Sequence, residues 1–296
     1  MNEIKHPVYE IDKQQVRRSF ELAVESYDKA AVLQKEVNDR LIERLDYIRI
    51  QPEVIIDIGT GTGFGLSALA GKYPESEIIG LDLSEGMLKK ARAIISDKST
   101  SDSSNGVNAS KIKMLCADAE VLPLKENSCD LIFSNLALQW CNDLNSTFQE
   151  FFRVLRPGGL LLFTSFGPDT LIELRSSWAA VDDFQHVSGF IDMHHVGDAL
   201  LNAGLLDPVM DTENFTLTYS DVYKLMRDLK AVGARNAVYG RNHSLTGKQH
   251  LKAMTEEYEK YRTDGVLPAT YEVVYGHAWA PDPESQGESV DVSFNI

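Results

Sequence analysis

The sequence predicts an α/β protein built on one sheet of seven mostly parallel strands. Three observations lead to this prediction. Short β-branched segments alternate with helical segments over residues 50–166, a glycine-rich turn follows the first of these strands, and helix becomes more frequent after Phe166. Regular alternation of strand and helix is typical of parallel sheets with right-handed crossovers. We expect five parallel strands in this region and two more strands after it.

Each element has its own sequence pattern. Val16, Phe20, Ala23 and Tyr27 recur at helical spacing, and this period continues through a helical region at 14–46. Short apolar runs predict buried strands, and periodic segments predict amphipathic helices. The predicted strands are 53–59, 76–83, 112–118, 129–135, 159–166, 208–218 and 270–279. The predicted helices after residue 46 are 65–74, one that begins after Ser84, 145–155, 169–182, 194–203, 220–231 and 247–262.

We expect the whole chain, 1–296, to form a single domain. The polar segment 99–110 has few apolar residues to bury, so a surface insertion without regular structure is expected there. The other parts would be cap helices at 14–46, a core at 50–166, a helical cap with one strand at 167–262, a last strand at 270–279 and a loose tail at 280–296.

Composition limits the classes of function. Lys and Arg number 29 against 44 Asp and Glu, so the formal charge is −15. This charge argues against a nucleic-acid partner, because such binding depends on neutralising phosphates. No apolar run approaches the ~20 residues of a membrane span, and the first residues lack the apolar stretch of a secretory signal. Three cysteines without CxxC spacing indicate a reduced, cytoplasmic chain.

The clearest motif is VIIDIGTGTGF at 54–64. A strand reaching Asp57 leads into Gly59, Gly61 and Gly63 before a helix begins. Glycines allow positive φ and close approach to a ligand, and a helix N-terminus favours an anionic group. The GxGxG spacing differs from the GxGxxG of dinucleotide-binding folds, and the lack of a following GK[ST] excludes a P-loop.

Polar residues at the ends of the next strands extend this pattern. Asp82 ends the second strand, where a carboxylate can accept both hydroxyls of a ribose. Asp118 ends the third strand, where a carboxylate can meet an adenine amino group. Asn135 and Trp140 follow the fourth. These strand ends share one edge of an open parallel sheet, which is where such folds bind ligands.

Together, these features of residues 50–166 resemble the class I S-adenosylmethionine-dependent methyltransferases, which have a Rossmann-like sheet. The resemblance implies S-adenosyl-L-methionine as cofactor, and another nucleotide-binding α/β protein is the alternative. Met87 also fits an ordinary core position of its helix. The residues that would hold the cofactor are Asp57, Gly59 and Gly61 at the methionine moiety, Asp82 at the ribose, and Asp118 with Ala119 at the adenine, flanked by Leu83 and Met87.

Longer segments resemble a narrower family, the malonyl-acyl-carrier-protein O-methyltransferases of biotin synthesis. They are VRRSFELAVESYDKAAVLQ (16–34), the stretch from NLALQW to ELRSSW (135–178) and LKAVGARNAVYGRNHSLTG (229–247). The resemblance implies methylation of the free carboxylate of a malonyl thioester, on acyl carrier protein or coenzyme A. The methyl ester hides the charge, so that fatty-acid synthesis accepts the product as a primer.

Other functions remain open from the sequence. A mitochondrial complex I assembly factor that hydroxylates an arginine shares NLxLQW and DTLxELR with this chain. A methyltransferase that acts on another small carboxylate or hydroxyl is a second possibility. A non-catalytic protein that retains the pocket is a third, although the intact glycine and aspartate positions argue against it.

The expected chemistry needs no general base. A malonyl carboxylate is already ionised near pH 7, so the protein must orient it and remove its water. A rigid salt bridge would favour the substrate over the transition state, because the reaction consumes the charge of the nucleophile. We therefore expect hydrogen-bond donors at the acceptor and propose Tyr27, Asn135 and Trp140. The N-terminal helices of this family cover the site, so Tyr27 would close over the cofactor. Ordinary packing roles for Tyr27 and Trp140 remain open.

Basic side chains could dock an acidic carrier. Arg17 and Arg18 lie on the predicted helix that carries Tyr27, and with Arg175 they are our candidates. Isolated surface arginines are the alternative, and the −15 charge opposes an acidic partner. No metal site is predicted, because His194 and His195 are adjacent and lack a known ligand spacing. The sequence leaves the oligomeric state undecided.

Overall fold

Seven strands form one sheet in the computed structural model, which describes residues 10–101, 108–239, 241 and 247–282. Their order across the sheet is β3-β2-β1-β4-β5-β7-β6, and β7 runs antiparallel to both of its neighbours. The predicted seven-stranded, mostly parallel sheet is confirmed. The strands are β1 Val54–Ile58, β2 Glu77–Asp82, β3 Ile112–Cys116, β4 Cys129–Ser134, β5 Leu155–Phe166, β6 Leu206–Tyr219 and β7 Leu267–Trp279.

The helices also follow the predicted pattern within the described ranges. The predicted N-terminal helical region is divided into three helices, the short second one carrying Tyr27. The helices are α1 Lys13–Ala23, α2 Tyr27–Ala30, α3 Val32–Arg44, α4 Phe64–Lys72, α5 Glu85–Ser101, α6 Leu144–Val154, α7 Ile172–Ala179, α8 Met193–Asn202, α9 Val222–Ala231 and α10 Lys248–Tyr258.

Two apolar layers cover the two faces of the sheet. Leu131 and Phe133 of β4 join the layer that contains α3 and α4, whereas Ile132 joins the layer that contains α6. Successive side chains of a strand point to opposite faces, so a continuous apolar run fills both layers. Each fully buried side chain of this size contributes roughly 1.5–3 kcal/mol relative to exposure. Burial on both faces therefore fixes the central strands.

The strand order creates a switch point between β1 and β4. Strand β2 pairs with one side of β1, and β3 pairs with the far side of β2. The chain then returns, and β4 pairs with the other side of β1, with paired residues from Ile55–Leu131 to Ile58–Ser134. Open parallel sheets bind ligands at such a point, outside the carboxyl ends of the strands. The glycine turn after β1 and the segment after β4 therefore face each other across one crevice.

Helices α1–α3 lie over this crevice. The Thr62 hydroxyl donates a hydrogen bond to the Asp28 carboxylate at 2.6 Å, which ties α2 to the glycine turn. On the other side, the Ser26 hydroxyl donates to the Ala231 carbonyl at 2.8 Å and ties the same segment to α9. The cap therefore has fixed contacts on both sides.

Two segments differ from the sequence prediction. Helix α5 continues to Ser101, so the first residues of the predicted insertion 99–110 are helical, and its last residues enter a 3-10 turn at Ala109–Lys111. The helix predicted over 169–182 is α7, which begins later because Leu171 adopts φ +53 and interrupts helical geometry. Residues 102–107 and all but 280–282 of the predicted tail lie outside the described residues.

Candidate active site

The glycine turn has positive φ at all three of its glycines, +74 at Gly59, +55 at Gly61 and +85 at Gly63. Their surroundings differ. A Cβ on Gly59 would lie 2.4 Å from the Cβ of Ala137, and one on Gly63 would lie 2.9 Å from the Cβ of Ala91. A Cβ on Gly61 would meet only the Tyr27 ring, at 3.9 Å, and a carbonyl of the turn. Gly59 and Gly63 thus permit close packing, and Gly61 leaves space in the crevice.

The crevice contains a cleft of about 670 Å³, part of it open to solvent. Most of the residues predicted to bind a nucleoside lie together in its wall, with apolar side chains from α1 opposite them. The wall includes Lys13, Val16, Phe20, Tyr27, Gly59, Gly61, Asp82, Leu83, Asp118, Ala119, Asn135 and Trp140.

Asp82 is anchored at the end of β2. One oxygen of its carboxylate accepts the Gly61 N–H at 2.9 Å, and the other accepts the Ser84 N–H at 2.8 Å. The residue is only 9% exposed, and burial raises the pKa of its carboxyl to about 6. Each oxygen has a second lone pair, so the fixed carboxylate can also accept hydroxyl groups from the cleft.

A smaller pocket extends the cleft towards β1 and α3. Asp57 is 2% exposed there, and its carboxylate accepts the Thr60 hydroxyl at 2.6 Å. Burial raises the pKa of Asp57 to about 7, with a smaller contribution from the charge of Asp82. Two acidic groups at one end of the cleft favour a cationic ligand, because a nearby positive charge stabilises their ionised forms against desolvation.

Asn38 is a residue of this pocket that the sequence analysis missed. It is 2% exposed, and its Nδ2 is buried without a hydrogen-bond partner. An unsatisfied buried amide costs roughly 1–3 kcal/mol, so a ligand acceptor would remove that cost. The available signal was an asparagine within the apolar stripe Leu33, Val37 and Leu41 of α3.

Asp118 lies in the cleft wall but is not a free carboxylate. Its Oδ1 accepts the Lys13 ammonium at 2.9 Å and the Glu120 N–H at 3.1 Å. Lys13 also contacts the Glu120 carboxylate at 2.5 Å. No hydrogen bond to Oδ2 of Asp118 is found in the described part of the chain, so this oxygen is the one that can meet a ligand amino group. Nothing in the sequence pattern indicated Lys13.

Met87 occupies the core position that the sequence analysis gave as its alternative, and its contact with a cofactor stays a prediction. It is 1% exposed and does not belong to the cleft wall, whereas Leu83 does. Ser84 caps the start of α5 by accepting the Met87 N–H at 3.2 Å, and the Met87 side chain then turns into the interior with the apolar stripe of the helix. The alternative core position is therefore the one that the structure has.

Tyr27 lies over the glycine turn at the start of α2. Its ring and hydroxyl face Gly61, and the adjacent Asp28 is the residue that Thr62 holds. Burial and the nearby carboxylates of Asp82 and Asp28 raise the pKa of the Tyr27 hydroxyl above its usual value. The phenol is therefore neutral at physiological pH and can donate a hydrogen bond.

Asn135 has structural contacts that the sequence did not indicate. Its Nδ2 donates to the Gln34 carbonyl of α3 at 2.9 Å, and its Oδ1 accepts the Thr164 hydroxyl of β5 at 2.8 Å. The side chain thus joins the cap to the sheet where β4 ends. Because both ends of the Asn135 amide already have hydrogen-bond partners, the structure favours a structural role over donation to the methyl-accepting group.

Trp140 lies between the cofactor-sized cleft and a second chamber. Its ring packs edge-to-face on Phe20 of α1 with centroids 5.4 Å apart. It lines both cavities. The second chamber holds about 890 Å³, including space open to solvent, and its wall is mostly apolar. Its wall comes from α3, α7, α9, the ends of β5–β7 and two loops, so no local sequence pattern predicted it.

The predicted arginine group is not brought together as one patch. Arg17 and Arg18 are exposed on α1, and the pKa of Glu85 on α5 is lowered mainly by its hydrogen bond and ion pair with Lys89 and to a smaller extent by the charge of Arg17. Arg175 is partly buried, donates to the Pro168 carbonyl, and has a buried Nε without a partner. Arg175 of α7 therefore binds the loop that precedes its helix, and its role in docking stays a prediction.

The histidines of the cap have local contacts. His186 stacks on Trp178 with ring centroids 3.7 Å apart, and its Nε2 lies 2.8 Å from Asp182. His194 lies 2.8 Å from the Asp192 carboxylate at the start of α8. In the ranges that the structure describes, no three His, Cys, Asp or Glu side chains are grouped to hold a metal ion. In the same ranges, no helix has the length and apolar character to cross a bilayer.

Sequence comparisons connect this geometry with known proteins. A family model described as "Methyltransferase domain" matches residues 56–163. The chain is 50% identical over 289 residues to the malonyl-[acyl-carrier protein] O-methyltransferase of Gallionella capsiferriformans, covering 97% of this chain and 98% of that protein. It is 47% identical over 280 residues to the protein of the same name from Nitrosospira multiformis, covering 93% and 91%.

Solved structures share the fold at much lower sequence identity. The YcgJ protein of Bacillus subtilis superposes with a TM-score of 0.56 at 14% identity, covering 83% of this chain and 99% of that one. Phosphoethanolamine N-methyltransferase 2 of Haemonchus contortus, in complex with S-adenosyl-L-methionine, gives a TM-score of 0.54 at 16% identity, covering 88% and 57%. These likenesses establish the architecture of the sheet and its helices.

Proposed function

Because the chain belongs to the malonyl-[acyl-carrier protein] O-methyltransferase family, we propose that it transfers the methyl group of S-adenosyl-L-methionine to the free carboxylate of a malonyl thioester. The observation that carries this proposal is the pair of cavities that meet at Trp140. One is an acidic cleft with the residues of a nucleoside site, and the other is an apolar chamber that can hold an acyl group. The product is the malonyl methyl ester.

The residues of the acidic cleft fit the cofactor. Gly61 leaves open space where any other residue would place a Cβ, and the buried amide of Asn38 lacks a partner. Asp57 and Asn38 would hold the methionine ammonium and carboxylate, and Asp82 would accept the ribose hydroxyls. Asp118 and Ala119 would meet the adenine, with Leu83 against its face. When bound, the cofactor supplies an electrophilic methyl group on a positively charged sulfur.

The residues around the acceptor orient it and remove its water. A carboxylate that enters the chamber exchanges bulk water for the side chains around Trp140, which makes its oxygen a better nucleophile. The neutral Tyr27 hydroxyl and the Trp140 indole N–H are donors of moderate strength. Such donors hold the carboxylate while its negative charge is lost, because their hydrogen bonds favour the ionised form only moderately. Asn135 contributes by fixing α3 against β5.

The carrier of the malonyl group is a finer part of the proposal. We propose acyl carrier protein as the main partner, with malonyl-coenzyme A as a poorer substrate, and Arg17 and Arg18 as the contact for acidic helices or the prosthetic phosphate. Both side chains are exposed on the helix whose inner face lines the cleft. The three unpaired cysteines support a cytoplasmic location.

A labelling assay tests the function directly. Purified protein with methyl-labelled S-adenosyl-L-methionine and malonyl-acyl carrier protein is expected to place label in the thioester product, and acetyl-acyl carrier protein should remain unlabelled. Oxygen-dependent hydroxylation of an arginine peptide would instead favour the relationship with the complex I assembly factor. Cofactor binding without label transfer to malonyl thioesters would leave another carboxylate or hydroxyl as the acceptor.

A further inference from the structure

The chamber beyond Trp140 contains an arginine without a partner. Arg235 lies in the turn after α9, and its Nε is buried with no hydrogen bond. Within the described ranges, its guanidinium has no ion pair either. Other arginines of the molecule differ. Arg153 binds Glu150 and two backbone carbonyls, and Arg156 binds Asp130.

The other polar groups of the chamber do not neutralise Arg235. The Asp228 carboxylate is hydrogen-bonded to the Tyr219 hydroxyl. His186 is held by Asp182 and by the Trp178 ring. Gln139 donates its amide to the Leu136 carbonyl at 2.6 Å, and its remaining atom, a buried Oε1, is an acceptor without a partner. The chamber therefore presents the unpaired guanidinium of Arg235 and the unpartnered Oε1 of Gln139 to its ligand, beside the Asp228 carboxylate.

The surroundings of Arg235, which is partly buried, favour a bound anion. The wall near it is apolar, with Val232, Leu229 and Leu174 among the lining residues. A charged group in such a place loses hydration, and a bound counter-ion restores the lost interaction. The planar guanidinium matches a carboxylate in two parallel hydrogen bonds better than it matches any uncharged group.

We propose that Arg235 determines specificity by binding the free carboxylate of the acceptor acyl group, an inference that rests on the proposed function. The acceptor class would then be half-thioesters of short dicarboxylic acids, and acyl groups that end in a methyl would be rejected. Arg235 pairs most strongly with the charged substrate and less with the transition state, in which the carboxylate loses its charge. Arg235 therefore contributes to substrate binding. The methyl ester product is uncharged and cannot form the ion pair, so it dissociates more readily.

The first measurement is steady-state kinetics on three variants. Arg235→Gln is expected to raise the KM for malonyl-acyl carrier protein about 10- to 100-fold, as for loss of a charged hydrogen bond, with a kcat that is unchanged or higher, because the ion pair is weaker in the transition state than in the bound substrate. Arg235→Lys keeps the positive charge but cannot form two parallel hydrogen bonds, so its KM should lie between those of Arg235→Gln and the wild type. Arg227→Gln removes an exposed arginine of α9 and should match the wild type. Unchanged thermal stability and cofactor affinity would show that the variants are folded.

The second measurement is binding without turnover. Calorimetry with S-adenosyl-L-homocysteine present should show that wild-type protein binds malonyl-pantetheine much more tightly than acetyl-pantetheine. Arg235→Gln should remove most of this difference. The assignment of Arg235 would be overturned if the wild type and Arg235→Gln showed the same preference for malonyl-pantetheine over acetyl-pantetheine. A lower kcat at constant KM in Arg235→Gln would overturn it as well. Failure of the wild type to methylate malonyl thioesters would instead refute the proposed function, so the two failures are distinguishable.

Discussion

The backbone N–H of Gly61 donates to the buried carboxylate of Asp82 across 2.9 Å, which joins the glycine turn after β1 to the end of β2. The carboxylate has a second backbone donor at Ser84, so its position is fixed before any ligand binds. Pre-organisation of this kind lowers the ordering cost of ligand binding. The turn and the acid therefore form one unit of the proposed cofactor site.

Replacement of Asp82 tests that unit. Asp82→Ala should weaken binding of S-adenosyl-L-methionine by ~1–3 kcal/mol, because the ribose hydroxyls lose their acceptor. Asp82→Asn keeps one oxygen as an acceptor, so its affinity for S-adenosyl-L-methionine should lie between those of Asp82→Ala and the wild type. Isothermal titration calorimetry measures both. If the affinity of Asp82→Ala equals that of the wild type, the ribose does not bind at this carboxylate.

Cofactor affinity should depend on pH through the two buried acids. Burial raises the pKa of Asp57 to about 7 and that of Asp82 to about 6. The ligand is cationic and needs both carboxylates ionised, so its affinity should increase from pH 5.5 to 7.5, by at most about tenfold per pH unit for each acid. Asp57→Asn should flatten the upper part of this profile. A dissociation constant that stays the same over this range would contradict the role of both acids.

The stability of the ligand-free protein should change with pH in the opposite direction. In the unfolded chain, an aspartate has a pKa of about 3.9 and releases its proton near that pH. In the folded protein, where the pKa is higher, the same carboxyl keeps its proton up to a higher pH. These two acids therefore make the free energy of unfolding fall as pH increases from about 4 to about 7. Thermal unfolding of Asp57→Asn, compared with the wild type over that range, measures the contribution of Asp57. An equal pH dependence in both proteins would exclude it.

Asn38 should separate stability from cofactor binding. Asn38→Leu removes an unsatisfied buried amide at similar volume and should stabilise the free protein by about 1–2 kcal/mol. The same change should reduce cofactor affinity about tenfold, through loss of a hydrogen bond to a charged group. Asn202→Leu, on the exposed surface of α8, is the matched control and should alter neither value. A lower melting temperature with normal affinity would show that Asn38 is only structural.

The two glycines nearest the cleft should respond differently to alanine. Gly59→Ala places a Cβ 2.4 Å from that of Ala137 at φ +74, so a loss of at least about 2 kcal/mol in stability is expected. Gly61→Ala meets no such contact and should cost about 1 kcal/mol from its positive φ. Its new methyl group occupies the cleft, so cofactor affinity should decrease. The double variant with Ala137→Gly should recover part of the Gly59→Ala loss, and failure to do so would exclude the Cβ contact as its cause.

Charge reversal at α1 tests the docking proposal. Arg17→Glu with Arg18→Glu should raise the KM for malonyl-acyl carrier protein about 3- to 10-fold, the scale of two exposed ion pairs, with a much smaller effect on malonyl-coenzyme A. The difference in KM between the variant and the wild type should become smaller in high salt, because salt screens exposed charges. Arg49→Glu with Lys125→Glu, two exposed reversals before β1 and β4 at the opposite edge of the sheet, produces the same change in net charge and is the control. Equal effects on both substrates would eliminate the docking surface.

Local sequence patterns were sufficient for the elements and for much of the cofactor cleft. The run VIIDIGTGTGF contains its own strand, its turn and the glycines that the turn requires. Asp82 ends β2, and Asp118 follows β3 by two residues. Periodicity and backbone freedom are properties of neighbouring residues, so they can be read from the chain. The partnership of Asp118 with Lys13 depends on residues 105 positions apart, and no pattern indicated it.

The sequence alone therefore determined the sheet, the family resemblance and the residues at the strand ends. Only the tertiary structure decided that Met87 enters the core, that Arg175 of α7 binds the loop before its helix, and that Asn38 and Arg235 have buried atoms without partners. The reason is physical. Helical or strand spacing fixes the direction of a side chain within its own element, whereas burial and hydrogen-bond satisfaction depend on what distant segments bring to the same place.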